Sequence, residues 1–198
     1  MPALIVQSQF HATVLYIALA VCYVPDWIGA FIQRPEKGAV KRDRGSHFLL
    51  VACMIVGVVA AFFIVNIRPS IATIVWNARV VFWVGIALML AGLAFRWYAI
   101  RVLGKYFTRD VATRADQQVV ERGPYRWIRH PSYSGSLLAV LGFGLATTNW
   151  LALIVAVGFA LAGYAYRVRV EEQALSRDLG DRYCNYMQRT RRFIPFVW

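Results

Sequence analysis

Charge is scarce in this chain, and negative charge scarcer still: 16% of the 198 residues are charged, ten acidic against 22 basic. So little charge on a chain that is 59% hydrophobic excludes an ordinary soluble domain, and the length leaves room for one compact unit. Cysteine is also sparse. Cys22, Cys53 and Cys184 form neither a C-x-x-C nor a His-paired spacing, so no disulfide framework and no metal site is expected. The first apolar run lacks a basic n-region and a small-residue cleavage site, and reads as a retained helix and not as a signal peptide. Polar residues are nearly missing from the apolar runs. Apart from Asp26, Asn66 and Asn77, all near run ends, the runs offer almost none, which argues against a transporter or channel.

What is present is long apolar stretches. Runs of about 20 residues, enough to cross ~30 Å of hydrocarbon, occupy 11–32, 48–67 and 80–100, and two more occupy 133–147 and 150–166. The fourth is short for a full crossing, as in a tilted helix or one that begins in the interface. The expected fold is an all-α integral membrane protein of about five transmembrane helices. The basic residues fall as five from Arg34 to Arg44, two at Arg68 and Arg79, eight from Arg96 to Arg129 and seven from Arg167 onward. The positive-inside rule puts the three larger groups in the cytoplasm, which five spans satisfy with the N-terminus outside and the C-terminus inside. Basic segments beside a membrane serve orientation and contact with anionic lipids, so nucleic acid is not an expected partner.

The organisation is two-part: residues 1–100 form a scaffold of three helices, and 101–198 carry a loop, a helical hairpin and a C-terminal amphipathic helix. The connection at 33–46 contains Pro35 and Gly38 and ends at Ser46, a candidate cap for the second helix. Thr147-Thr148-Asn149 is the whole connection between the fourth and fifth runs, which therefore form a tight antiparallel hairpin. Gly135, Ala139, Gly142 and Ala146 give the fourth helix a small-residue stripe for close packing. After Tyr166 the pattern turns amphipathic, with Leu175, Leu179, Tyr183 and Tyr186 on one face and Gly180 marking a bend. The chain closes on an apolar, aromatic tail.

Two constellations carry chemistry. In the long polar stretch from Arg101 to Tyr133, Gly123-Pro124 is a turn signal, and Pro131 holds His130 extended at the start of a helix. Free N–H groups and the positive dipole end there suit an anionic group. At the far end of the last span, Arg167 and Glu171 are four residues apart and share a helix face. Taken singly, the first is also compatible with an interfacial turn, and the second with a surface ion pair beside a snorkelling arginine.

Together, the run GPYRWIRHPSYSG, then RVRVEEQALSRDLGDRYCNY about 30 residues later, and a closing FIPF resemble the isoprenylcysteine carboxyl methyltransferase family and its relatives among the phospholipid methyltransferases. The resemblance covers roughly Gly104 to the C-terminus. It implies a membrane enzyme that uses S-adenosylmethionine, releases S-adenosylhomocysteine and lacks a Rossmann fold, with its cofactor pocket facing the cytosol. It places Gln117, Gln118, Val119, Val120, Tyr125, His130, Pro131, Ser132, Tyr133 and Glu171 at the cofactor, and Arg167 at the methyl acceptor, with Arg167 and Glu171 as the catalytic pair. One departure is visible: members acting on prenylated proteins carry a cofactor-contacting glutamine upstream, where this chain has Ala112 or Asp110, depending on the gap.

The implied reaction is carboxyl O-methylation of a lipidated or lipid-like acceptor arriving from the bilayer. A carboxylate with a pKa of ~4 is already ionised at neutral pH and needs no general base. The alternative, N-methylation of a phospholipid head group, requires an ammonium to lose a proton, with Glu172 or His130 as base. A membrane reductase of the same architecture is a further alternative, marked by nicotinamide binding.

Overall fold

A computed structural model describes residues 2–32, 40–41, 43, 45–67, 72–108, 112–113 and 117–193, with side chains undescribed at 26–32, 40–41 and 112–113. The helices are α1 (Leu4–Gln7), α2 (Gln9–Ile32), α3 (Ser46–Ile67), α4 (Ala78–Leu103), α5 (Pro131–Ala146), α6 (Trp150–Leu179) and α7 (Asp181–Arg189). The expected runs correspond to α2 to α6. Two short strands, β1 (Val40–Lys41) and β2 (Ala112–Thr113), pair antiparallel with Val40 opposite Thr113. They tie the α2–α3 connection to the α4–α5 connection.

The chain is an integral membrane protein: three stretches, Ser46–Ile67, Ala78–Tyr106 and Trp150–Leu179, are long and apolar enough to cross a bilayer. The 16 residues of α5 rise ~24 Å at 1.5 Å each, short of a full hydrocarbon layer.

The stripe on α5 packs as its composition demands, and its partner is a second stripe on α4. A Cβ on Gly92 would stand 2.5 Å from the Gly135 carbonyl oxygen and 2.6 Å from the Ala139 nitrogen. One on Gly142 would stand 2.5 Å from both the Gly85 carbonyl oxygen and the Met89 nitrogen. Glycines seven apart on each helix therefore let the two backbones touch, so dispersion and not side-chain interdigitation holds the pair. A second pair, α3 on α6, is looser: Gly57 faces Ala156 and Phe159, and Gly163 faces Leu50 and Cys53.

Thr147, Thr148 and Asn149 are fully buried, and hydrogen bonds tie the turn to its surroundings. The Asn149 side chain accepts from Ala152 N at 3.0 Å and caps α6. The Thr148 carbonyl accepts from Ile74 N at 2.9 Å, and its hydroxyl oxygen accepts from Leu4 N at 2.9 Å. In the absence of water these bonds are what make the turn tolerable inside the bundle.

Two expectations are corrected. No new helix begins after Tyr166: α6 continues for 30 residues to Leu179, because no helix breaker intervenes before Gly180. Gly180, at φ +56°, ends that helix, and the amphipathic segment proper is α7. Ser46 is not the cap of α3. The Asp43 carboxylate accepts from the Ser46 hydroxyl at 2.9 Å and from His47 N at 3.2 Å, and an acceptor at this place stabilises the helix start. Pro35, Gly38 and the tail beyond Phe193 lie outside the described residues.

Candidate functional site

The predicted turn forms as a 3-10 turn over Gly123–Arg126, with Gly123 at φ +57° and Pro124 and Tyr125 buried. Beyond it the chain is held by the C-terminal segment. Ile128 bridges Arg191 in parallel, Arg129 N donates to the Arg191 carbonyl at 2.7 Å, and His130 N donates to the Arg192 carbonyl at 3.1 Å. Arg129 closes the clasp with its side chain, donating to Glu172 at 2.8 Å, to the Met187 carbonyl at 3.0 Å and to the Thr190 carbonyl. The Tyr186 hydroxyl donates to the Tyr125 carbonyl at 2.7 Å. Burial pushes the Tyr125, Tyr183 and Tyr186 hydroxyls well above the usual tyrosine pKa, so all three remain protonated donors.

From this clasp a buried polar chain runs across the bundle. Glu172 accepts from Arg129 and, at 2.9 Å, from Arg192, and lies 3.4 Å from His130 Nε2. His130, 4% exposed, stacks on Tyr133 with planes 4° apart and lies 3.7 Å from Glu171. The Tyr133 hydroxyl donates to Glu171 Oε2 at 2.7 Å and accepts from Arg167 Nε at 3.2 Å. Arg167, 2% exposed, donates through Nη1 to Ser46 Oγ at 2.7 Å and to the Asp43 carboxylate. Arg167 and Glu171 thus do share a face, and Tyr133 bridges them. At this helix start the carboxylates nearest the His130 ring are the chain's own Glu171 and Glu172.

Two cavities meet at this chain. A polar cleft is lined by Gln117, Gln118, Val119, Val120, Tyr125, His130, Ser132, Tyr133 and Glu171, nine of the ten residues that the resemblance places at the cofactor. Pro131 is the tenth. It is buried beneath the first turn of α5 and shapes the helix start instead of lining the cleft. Arg129, Tyr183 and Tyr186 complete the wall. The Gln117 Oε1 atom is buried and has no hydrogen-bond partner among the described residues, which leaves it able to accept from a ligand.

The second cavity, of ≈ 900 Å³, lies among α2, α3, α4, α5 and α6 with an almost wholly apolar wall. Arg167 and Arg96 reach it, and Phe107, Thr108 and Tyr133 belong to both cavities. Arg96 donates to Ser136 Oγ at 3.1 Å. Ala112, at the site of the departure noted above, lies in β2, and Asp110 lies outside the described residues.

Sequence reasoning missed Asp43, Arg129, Phe107 and Thr108 as site residues. It named Tyr183 and Tyr186 only as an apolar helix face. Asp43 carried a signal in Asp-x-x-Ser before an apolar run, a capping pattern, but nothing local linked it to Arg167.

Fold and site together define a membrane-embedded helical protein in which a polar cleft and an intramembrane apolar cavity share a wall at Phe107, Thr108 and Tyr133. Residues 80–182, just over half the chain, match the family described as phospholipid methyltransferase, and the chain belongs to that family. It is 31% identical over 115 residues to protein-S-isoprenylcysteine O-methyltransferase B of Arabidopsis thaliana, covering 57% of this chain and 58% of that protein. The corresponding enzyme of Saccharomyces cerevisiae is also 31% identical over 115 residues, with 57% of this chain and 48% of that one covered. The uncharacterized protein YpbQ of Bacillus subtilis is 25% identical over 145 residues, covering 71% of this chain and 80% of its own. The chain thus spans about half the length of the two eukaryotic relatives. A solved structure of the eukaryotic intramembrane Ras methyltransferase ICMT superposes with a TM-score of 0.53 at 22% identity, covering 96% of this chain and 63% of that one. At that identity the likeness is one of fold.

Proposed function

We propose that this protein methylates the carboxylate of a lipidated or lipid-like acceptor, with S-adenosylmethionine as donor. The carrying observation is the junction at Tyr133, where a polar cleft on one side and an apolar cavity on the other share a wall made by Phe107, Thr108 and Tyr133. S-adenosylmethionine supplies an electrophilic methyl group on a sulfonium, together with an ammonium, a carboxylate and an adenine amine. The residues suit it: Glu171 offers a carboxylate to a cation, and the orphaned Gln117 oxygen offers an acceptor to an N–H group. Gln118, Val119, Val120, Tyr125, His130, Ser132 and Tyr133 form the remaining wall, with Pro131 setting their helix start.

On the other side, the apolar cavity takes the lipid portion, and Arg167 stands at its polar end to receive the carboxylate. The acceptor is already ionised, so the protein's task is alignment and exclusion of water. In this reading five helices span the bilayer with the N-terminus outside. The cleft faces the cytosol, anionic lipids meet the basic segments, and the acceptor enters sideways.

An amine acceptor is the second reading, favoured by one observation: Asp43 places a carboxylate on Arg167. Against it, Glu172 is bound by Arg129 and Arg192 and faces His130, which leaves it a poor proton acceptor. Incubating the purified protein with labelled methyl donor and a membrane extract separates the two. A base-labile label is a methyl ester and supports the proposal; a base-stable label is an amine product and overturns it. Arg167→Ala is expected to preserve S-adenosylhomocysteine affinity and to remove turnover on a carboxylate acceptor.

A further inference from the structure

The pairing of Arg167 with Asp43 carries a consequence for catalysis that rests on the carboxylate reading above. In methyl transfer to a carboxylate, an acceptor oxygen forms the O–CH3 bond with its own electron pair. The sulfur–methyl bond breaks, and its pair stays on sulfur. No proton moves, and a negative and a positive charge disappear together. The transition state therefore carries less charge than the ground state. A lone buried guanidinium would stabilise the full charge of the bound carboxylate more than the partial charge at the transition state, and would slow the reaction while tightening binding.

Arg167 is not a lone guanidinium. Its Nη1 is held by the Asp43 carboxylate and the Ser46 hydroxyl, and Asp43 is itself 6% exposed and fixed by His47 N at the start of α3. We propose that Asp43 is a positioning and charge-compensating residue. It aims Arg167 at the cavity while cancelling much of its charge, so that the acceptor carboxylate is oriented without being over-stabilised. The N-terminal half, which contributes no recognisable motif, thereby supplies a determinant of the rate.

The test uses the full-length protein in lipid nanodiscs with N-acetyl-S-farnesylcysteine and its carboxamide as probes. Asp43→Asn keeps the shape and a hydrogen-bond acceptor for Arg167 and removes the charge. It should tighten binding of the acid by about threefold to tenfold, measured by calorimetry without methyl donor, and leave the carboxamide unaffected. With donor present, KM for the acid and kcat should both fall. Asp43→Ser repeats the test with a smaller neutral side chain should asparagine not be accommodated. The double variant Asp43→Asn, Arg167→Gln, which removes a buried pair as a unit, should bind acid and carboxamide alike.

Unchanged or weaker acid binding in the correctly folded single variants, or a fall in kcat with KM unmoved, would overturn the proposal. Failure of the carboxylate reading shows separately, in the unsubstituted protein, as no base-labile methyl on the acid and no preference for acid over carboxamide.

Discussion

The two halves of this molecule make the two cavities, and they do so by different means. Every residue lining the polar cleft lies beyond residue 100, within the family match or close after it. More than half of those lining the apolar cavity lie before residue 60, outside the family match. The cleft combines apolar residues such as Leu103, Val119 and Leu175 with the charged and hydrogen-bonding side chains of Arg129, His130, Tyr133 and Glu171. The cavity is built from Leu19, Val51, Met54, Val58 and similar residues, which exchange for one another at small cost if volume is kept. Under the proposed function, a match to the C-terminal half speaks to the donor side, and acceptor selection would sit largely in the other half.

The largest expected effect erases the distinction. Gly92→Leu would drive a Cβ into backbone atoms of Gly135 and Ala139, which cannot yield as a side chain tip does. The α4–α5 pair should fail to close, with no monodisperse protein recovered on size exclusion. Gly158→Leu is the control: among the described residues nothing lies within 4 Å of a Cβ there, and this variant should purify with an unchanged melting temperature.

Next in size is the separation of the halves from the donor side. Glu171→Ala removes the carboxylate that receives the Tyr133 hydroxyl and faces the cleft. Glu171 is part-exposed in the free protein and would be desolvated by a bound ligand; loss of a charged partner in such a site costs about 2–5 kcal/mol in binding, so S-adenosylhomocysteine binding should drop below detection by calorimetry. Binding of an acceptor acid in the apolar cavity should persist. Unchanged S-adenosylhomocysteine affinity would remove Glu171 from the donor site.

How far these halves were legible differs in the same way. Apolar run length was enough to find α2 to α5, and each helix begins two residues before its run, at Gln9, Ser46, Ala78 and Pro131. The first turn of a helix has N–H groups with no intrahelical partner, so a polar or proline residue sits there without cost and hides the boundary from a hydropathy reading. The end of α6 was misplaced because amphipathicity changes at Tyr166 while helicity does not. In the site, His130 and Glu171 were legible because a helix start and a pair four residues apart are local patterns, while Tyr133 entered through the resemblance alone. Asp43 was not: it meets Arg167 across 124 residues of sequence, and no periodicity encodes such a pairing. Gly85 and Gly92 left a visible seven-residue spacing on the third run, but the stripe on α5 was read without its counterpart.

A smaller effect probes the acceptor side alone. Met54 lines the apolar cavity from α3, and Met54→Trp would fill part of it. Overpacking of this kind costs about 1–3 kcal/mol, which should appear as an increase of roughly tenfold in KM for a long-chain acceptor, with S-adenosylhomocysteine affinity unmoved. A shorter lipid chain should recover the loss. Were donor affinity to fall in step, the cavities would not be separable and the comparison between halves would fail.

The smallest expected effect tests whether charge alone marks importance in the C-terminal half. Arg189 donates to Glu121 at 3.2 Å, but the two side chains are 63% and 44% exposed, and water solvates both ions whether or not they pair. Such surface pairs contribute about 0–1 kcal/mol. Arg129, by contrast, is 10% exposed and holds Glu172 as well as two carbonyls of the C-terminal segment. Its removal leaves a buried carboxylate short of a partner and frees the segment that positions His130. Arg189→Ala should therefore match the unsubstituted protein in melting temperature and turnover. Arg129→Ala should lose several degrees of melting temperature and weaken S-adenosylhomocysteine binding, although it removes the same charge from the same half of the chain.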